Sequence, residues 1–170
     1  RLEASKSIAS EFVADREGDR LSVVAFAGEA FTQCPLTSDR GAVQTSIARL
    51  RSGVIDDGTA IGNGLATAIN RLRESGAKSK VVVLVTDGVN NSGQISPRMA
   101  ADIARDLGIK VYTIGVGRRG QAPMPAMDPF GNVVMAMVKV EIDEDLLREV
   151  SKITGGKYFR AENIDALEKI

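Results

Sequence analysis

The sequence of 170 residues contains no histidine, no tryptophan and a single cysteine, Cys34. The missing imidazole excludes Ser-His-Asp and Cys-His nucleophilic sites, histidine-liganded zinc and a histidine general base. One cysteine excludes an intramolecular disulfide and a thiolate zinc cluster. We therefore expect a fold that depends on its hydrophobic core, with Cys34 packed as a small apolar side chain.

Charge of one sign is also lacking, because 22 Lys and Arg residues balance 22 Asp and Glu residues. Binding to nucleic acid phosphates or to an anionic membrane surface is therefore disfavoured. Apolar runs such as Val81 to Val85 are far shorter than the roughly 20 residues of a membrane-spanning helix. The length predicts a single domain over residues 1–170, and 44% hydrophobic with 26% charged residues is typical of a globular protein.

The sequence does contain alternating amphipathic stretches and continuous apolar runs, which predict an α/β domain. We expect a doubly wound, mostly parallel sheet with helices on both faces, one antiparallel edge strand and an inserted β-hairpin. The edge strand is expected to end before Pro35, and the helix that opens at Pro97 to bury Met99, Ile103, Ala104 and Leu107. The predicted strands are 21–27, 30–34, 80–86, 109–115 and 158–159, and the predicted helices are 2–15, 39–51, 59–76, 97–107, 143–154 and 165–170.

Residues 117–141 interrupt this alternation and predict the hairpin insertion. Three prolines precede a Phe-Gly-Asn turn, and an alternating run follows from Val133 to Ile142. Four methionines cluster there and could either fill gaps in the core or form an adaptable partner surface: Met124, Met127, Met135 and Met137. The nearby G-x-G-x-x-G pattern does not indicate a dinucleotide site, because the prolines that follow Gly120 prevent the helix which that fingerprint requires.

Two loops carry candidate ligands. Asp87 follows the strand 80–86, and Asp57 and Thr59 lie where the predicted helix 59–76 begins. Ligands of open parallel sheets bind beyond the carboxyl ends of the strands, where both loops are expected to lie. Taken singly, the first loop can be a strand-ending turn and the second a turn with a helix N-cap. The sequon at Asn90 is interpreted as a turn beside Asp87 rather than a glycosylation site.

Together with their surroundings, these loops resemble the von Willebrand factor type A domain. The segments that carry the resemblance are DDGTAIGNGLATAI, KVVVLVTDGVNNSG, VYTIGVG and LLREVSKITGGKYFRAEN, and it covers essentially the whole chain. It implies a metal-ion-dependent adhesion site built from a D-x-S-x-S motif after the first strand, a threonine and an aspartate. Thr59 and Asp87 correspond to the last two. No D-x-S-x-S string occurs in the sequence, so we expect the domain to lack its first strand here.

A narrower resemblance is to the Bat (Bacteroides aerotolerance) group of membrane-anchored bacterial proteins. It rests on RLEASKSIASEFV, DRLSVVAFAGEAFTQCPLTSD, PFGNVVMAMVKVEIDEDLL and TGGKYFRA. It implies an extracytoplasmic (periplasmic) domain whose membrane anchors lie outside these residues, with an aerotolerance or stress-related role.

The expected function is a non-enzymatic module that binds a protein partner, through an acidic residue of that partner, with Mg²⁺ or another divalent cation held partly by Thr59 and Asp87. Two alternatives stay open at this point. One is a magnesium-dependent hydrolase or phosphoryl-transfer domain that uses Asp57 and Asp87, although the sequence has no G-x-x-x-x-G-K-[ST] motif. The other is a structural assembly domain whose metal site has decayed.

Overall fold

The computed structural model describes residues 2–51, 53, 57–116, 120–127, 133–140 and 142–161. Helices and strands alternate along most of this chain, as the apolar pattern predicts. Their bounds are α1 Leu2–Ala14, β1 Leu21–Phe26, β2 Ala30–Thr37, α2 Arg40–Ala48, α3 Ile61–Arg73, β3 Val81–Thr86, α4 Pro97–Asp106, β4 Lys110–Gly115, β5 Gly120–Met127, β6 Val133–Val140, α5 Glu144–Ile153 and β7 Tyr158–Arg160. The predicted helix 165–170 lies outside the described residues.

A parallel sheet of order β3-β4-β7 forms the centre of the domain. β3 and β4 pair without interruption from Val81 opposite Lys110 to Thr86 opposite Gly115. One face of this sheet packs against α3, α4 and α5, and the other packs against α1 through Ile8. The predicted α/β class with helices on both faces is therefore confirmed, and Asp143 caps α5 as expected by accepting from the Leu146 N–H at 3.0 Å.

β1 and β2 form a separate antiparallel pair. The prediction that β2 ends before Pro35 is wrong, because the strand continues to Thr37. Pro35 lies where the register shifts between the Val23–Cys34 and Leu21–Thr37 pairs. A proline without an N–H is tolerated at such an irregularity on an edge strand. Cys34 is buried, as expected for a small apolar side chain.

The buried face of α4 differs from the predicted one. Met99, Ile103 and Leu107 are 58%, 44% and 44% exposed, so of the predicted stripe only Ala104 is buried. The residues that face the core are smaller: Pro97, Ala100, Ala101 and Ala104. Small side chains let α4 approach α3 and α5 closely, and this spatial requirement overrides the preference for burying the larger residues.

A cavity of about 1370 Å³ separates β1 from β3, which are not paired with each other. Its walls include apolar residues of both strands, such as Val24 and Val83, and residues of α1 and α3 such as Ala9 and Ala68. The cavity reaches Asp87 beyond the carboxyl end of β3. The two strand edges that face each other across it therefore have no backbone partner among the described strands.

β5 and β6 form the predicted hairpin, with a continuous antiparallel register from Gly120 opposite Val140 to Met127 opposite Val133. A strand begins at Gly120 where the dinucleotide fingerprint would need a helix, in agreement with the rejection of that motif. In the part of the chain that the structure describes, no helix is both long and apolar enough to cross a membrane.

Enlarging a buried residue of α4 tests the corrected helix face. Ala101→Leu should lower the free energy of unfolding by about 1–3 kcal/mol, because the new side chain has no space between the helices. Met99→Ala, on the exposed face, should change it by less than about 0.5 kcal/mol. Urea unfolding of both variants measures the two effects, and equal effects would contradict the assignment of the face.

Candidate metal-binding site at the strand ends

Three loops meet beyond the carboxyl ends of β1 and β3. They are the turn after β1, the segment 57–60 before α3 and the segment 87–96 after β3. The Ala60 N–H donates to the Ala27 carbonyl oxygen at 2.6 Å, and the Asn91 N–H donates to the Thr59 carbonyl oxygen at 3.1 Å. A Cβ on Gly58 would lie 3.1 Å from the Cα of Gly28, so the first two loops are in close contact.

Two asparagine side chains connect the loop after β3 to the start of α3. Asn91 Oδ1 accepts from the Thr59 N–H at 2.8 Å, and Asn90 Oδ1 accepts from the Ile61 N–H at 2.9 Å. Asn90 therefore satisfies one of the free N–H groups at the N-terminus of α3 from a different loop. Interpreting Thr59 as the N-cap of this helix is wrong, because Ala60 occupies that position and no side chain caps from it.

A third asparagine and a glycine fix the far end of the same loop. Asn63 Oδ1 accepts from the N–H groups of Gln94 and Ile95 at 3.2 and 3.1 Å. A Cβ on Gly62 would overlap the carbonyl oxygen of Ile95, so only glycine permits this approach of α3 to the loop. The loop after β3 is thus attached to α3 at both its ends.

This arrangement brings Thr59 and Asp87 to the same point. A Cβ on Gly88 would lie 2.8 Å from Thr59 Oγ1, which places the threonine hydroxyl against the backbone of the residue after Asp87. Both side chains are half-buried and line the mouth of the cavity between β1 and β3. Within the described residues, the Thr59 hydroxyl has no hydrogen-bond partner. Asp57 also lines the cavity, but its side chain is exposed.

The chemistry of these donors suits a hard divalent cation, which prefers carboxylate and hydroxyl oxygens. Two side chains supply fewer than the roughly six oxygens that Mg²⁺ requires. Across the described residues, no group of three or more His, Cys, Asp or Glu side chains lies close enough to hold a metal. The residues present therefore fit part of a ligand set, and the role of Thr59 and Asp87 as ligands stays a prediction.

Sequence reasoning missed the positioning role of Asn63, Asn90, Asn91 and Gly62. One signal was present, because G-N-G in the first turn of an amphipathic helix places three poor helix formers where the helix begins. Interpreting Asn90 as part of a turn beside Asp87 did not identify the backbone N–H groups that bind the asparagine side chains. These hydrogen bonds join residues about 30 positions apart and depend on the fold.

Comparison with known proteins gives the family. The model of the von Willebrand factor type A domain matches residues 1–170. The chain belongs to the von Willebrand factor type A family. Domains of this family generally mediate protein–protein interactions and commonly bind a divalent metal at a metal-ion-dependent adhesion site.

Individual relatives agree with this assignment. A solved aerotolerance-related membrane protein from Bacteroides fragilis is 31% identical, with a TM-score of 0.85 over 100% of this chain and 86% of that one, which confirms the resemblance to the Bat group. An uncharacterized protein from Borreliella burgdorferi is 31% identical over 94% of this chain and 47% of its own length. The chain thus spans about half the length of the curated relatives it matches.

A more distant structure shares the von Willebrand A fold. Proximal thread matrix protein 1 from the mussel byssus, described with a zinc-occupied MIDAS motif, is 24% identical, with a TM-score of 0.70 over 99% of this chain and 38% of that one.

Removing one asparagine tests the attachment of the loop. Asn90→Ala should lower the free energy of unfolding by about 0.5–2 kcal/mol, because the N-terminus of α3 loses the oxygen that caps it. Gln94→Ala is the matched control: its side chain is exposed in the same loop and should change stability by less than about 0.5 kcal/mol. Chemical denaturation measures both, and a neutral Asn90 variant would contradict a capping role.

Proposed function

We propose that this von Willebrand A domain is a metal-ion-dependent protein-interaction module in which Thr59 and Asp87 are two of the metal ligands. The observation that carries the proposal is their convergence: a hydroxyl that has no hydrogen-bond partner among the described residues and a carboxylate from a separate loop meet at the strand ends. The family background supports it, because its domains commonly bind a divalent metal and generally mediate protein interaction.

The donor chemistry favours binding over hydrolysis. With one carboxylate and one hydroxyl from these loops, the site would hold little negative charge, and Mg²⁺ or another divalent cation would supply an electrophilic position for a carboxylate of the partner protein. Asn90 and Asn91 already accept backbone N–H groups, so they position Thr59 rather than act as bases. The chain has no histidine to serve as a general base.

We further propose that a strand which is not among the described residues completes the domain in the cavity between β1 and β3. Both walls are mostly apolar, and neither flanking strand edge has a partner there among the described strands. A parallel strand in that position would end at the cavity mouth beside Asp87, where a D-x-S-x-S motif could add hydroxyl and carboxylate ligands. A motif at this position would supply the metal-ligand oxygens that the described residues lack.

The cellular setting is proposed from similarity. The Bacteroides fragilis relative is described as an aerotolerance-related membrane protein. By analogy, we place this domain on the extracytoplasmic side of a membrane-anchored bacterial protein, held by segments outside this chain, with a role in aerotolerance or stress.

Metal titration tests the site. In the intact protein, Mg²⁺ should raise the melting temperature, and Asp87→Ala or Thr59→Ala should abolish that increase because each removes a ligand oxygen. Differential scanning fluorimetry with MgCl₂, and with ZnCl₂ as a second cation, measures the effect. Asp102→Ala is the control, since it removes an exposed carboxylate of α4 far from the site and should leave the increase unchanged.

The same titration distinguishes an interaction module from a magnesium-dependent hydrolase. Asp57→Ala should leave the metal effect unchanged in an interaction module, whereas a hydrolase that uses both aspartates would lose it together with phosphoester turnover. An intact wild-type protein whose melting temperature does not respond to either cation would refute the metal site.

Stability measurements test the proposed strand. In a protein that also includes the native segment preceding Arg1, the free energy of unfolding should exceed that of residues 1–170 alone by more than about 2 kcal/mol. The reason is that burying even one large apolar side chain contributes about 1.5–3 kcal/mol. Equal urea midpoints and slopes for the two proteins would mean that no strand enters the cavity.

A further inference from the structure

The β5–β6 hairpin stands apart from the rest of the domain. β5 and β6 form a two-stranded sheet of their own and pack chiefly against each other. Near its turn end, Val134 and Met135 are 43% and 63% exposed, and because they are adjacent in a strand they lie on opposite faces. An isolated two-stranded hairpin is marginally stable in water, so a further strand or surface is needed to support it.

The two prolines of β5 determine which backbone groups point outward. Pro123 and Pro125 stand opposite Met137 and Met135 in a continuous register. Proline has no N–H, so it fits an uninterrupted antiparallel ladder only at positions whose backbone groups point away from the partner strand. Because these positions alternate, the outward positions of β5 are 121, 123, 125 and 127, and those of β6 are 133, 135, 137 and 139.

The two outer edges of the hairpin therefore differ. The edge of β5 lacks the N–H groups of its two central outward positions and cannot pair with a further strand over its length. The edge of β6 presents an N–H and a carbonyl at each of four outward positions, Val133, Met135, Met137 and Lys139. No other described strand pairs with this edge, and an open edge of this kind is a template for strand addition.

We propose that β6 pairs antiparallel with β6 of a second copy of this chain, across a two-fold axis at Ala136. This register places outward positions opposite one another: 133 faces 139, and 135 faces 137 of the other copy. The only charged residue of β6, Lys139, then stands opposite Val133, so no like charges face each other. The pairing is isologous, as a two-fold dimer requires.

The prolines also make the assembly finite. In the four-stranded sheet β5-β6-β6-β5, both outer edges belong to β5, and each bears Pro123 and Pro125. Strand addition cannot continue beyond them, so the pairing closes at two copies and does not lead to a fibre. The interface uses none of the groups at the strand-end site, so it is independent of the proposed metal function.

A proline scan tests the interface in the intact protein. The wild type should have twice the monomer mass by light scattering, with or without EDTA. Met137→Pro should halve that mass, because it removes an outward N–H of β6 while leaving the hairpin ladder intact. Gln121→Pro is the matched control on the outer edge of β5 and should remain dimeric. A Met137→Pro variant that keeps the doubled mass would overturn the proposal.

Cross-linking tests the register. In a Cys34→Ala background, Ala136→Cys should form a disulfide-linked dimer on mild oxidation, because non-hydrogen-bonded pairs across an antiparallel ladder have Cα atoms about 4.5 Å apart. Val134→Cys should not cross-link, since its two copies would lie four residues, or about 14 Å, apart. A monomeric wild type without the Ala136 cross-link, or equal cross-linking at both positions, would also overturn the proposal.

Discussion

The hydrogen bonds between asparagine side chains and the backbone at the start of α3 are the constraint on which the candidate site depends. Thr59 lies before α3 and Asp87 follows β3, and the parallel ladder of β3 and β4 does not fix the distance between their loops. Asn91 and Asn90 provide that connection by accepting the N–H of Thr59 and the N–H of the first residue of α3. Amide oxygens suit this role because they are strong neutral acceptors and add no negative charge beside a carboxylate.

The neutral amide side chains keep the negative charge at the candidate site low. If aspartates replaced the bracing asparagines, they would surround the site with negative charge and satisfy a cation internally. With amides in those positions, the described residues of segments 57–60 and 87–96 contain two carboxylates, of which Asp87 is half-buried and Asp57 is exposed. Few charges would leave a bound cation in need of a further anionic ligand, which is the physical reason for proposing that the site binds a carboxylate of a partner protein.

The elements that depend on local patterns could be predicted from the sequence. The apolar run of β3, the Asp143 cap of α5 and the proline-flanked hairpin all have signals within a few residues. The features that could not be predicted depend on distant neighbours. α4 buries alanines rather than Met99 and Ile103 because α3 and α5 leave little space, and Gly62 is required by the carbonyl of Ile95, more than 30 residues away.

Pro35, Pro123 and Pro125 lie within strands, whereas the sequence prediction had Pro35 end one. Neither Pro35 nor Pro123 ends its strand; both lie within strands at the edge of a two-stranded sheet. A proline within a strand closes that edge to further pairing, because it has no N–H to offer. The opposite edge of each pair stays available for pairing: the edge of β1 faces the cavity beside β3, and the outer edge of β6 has no partner among the described strands. The two proposed strand additions, one within the domain and one between copies, therefore follow from the same property of the backbone.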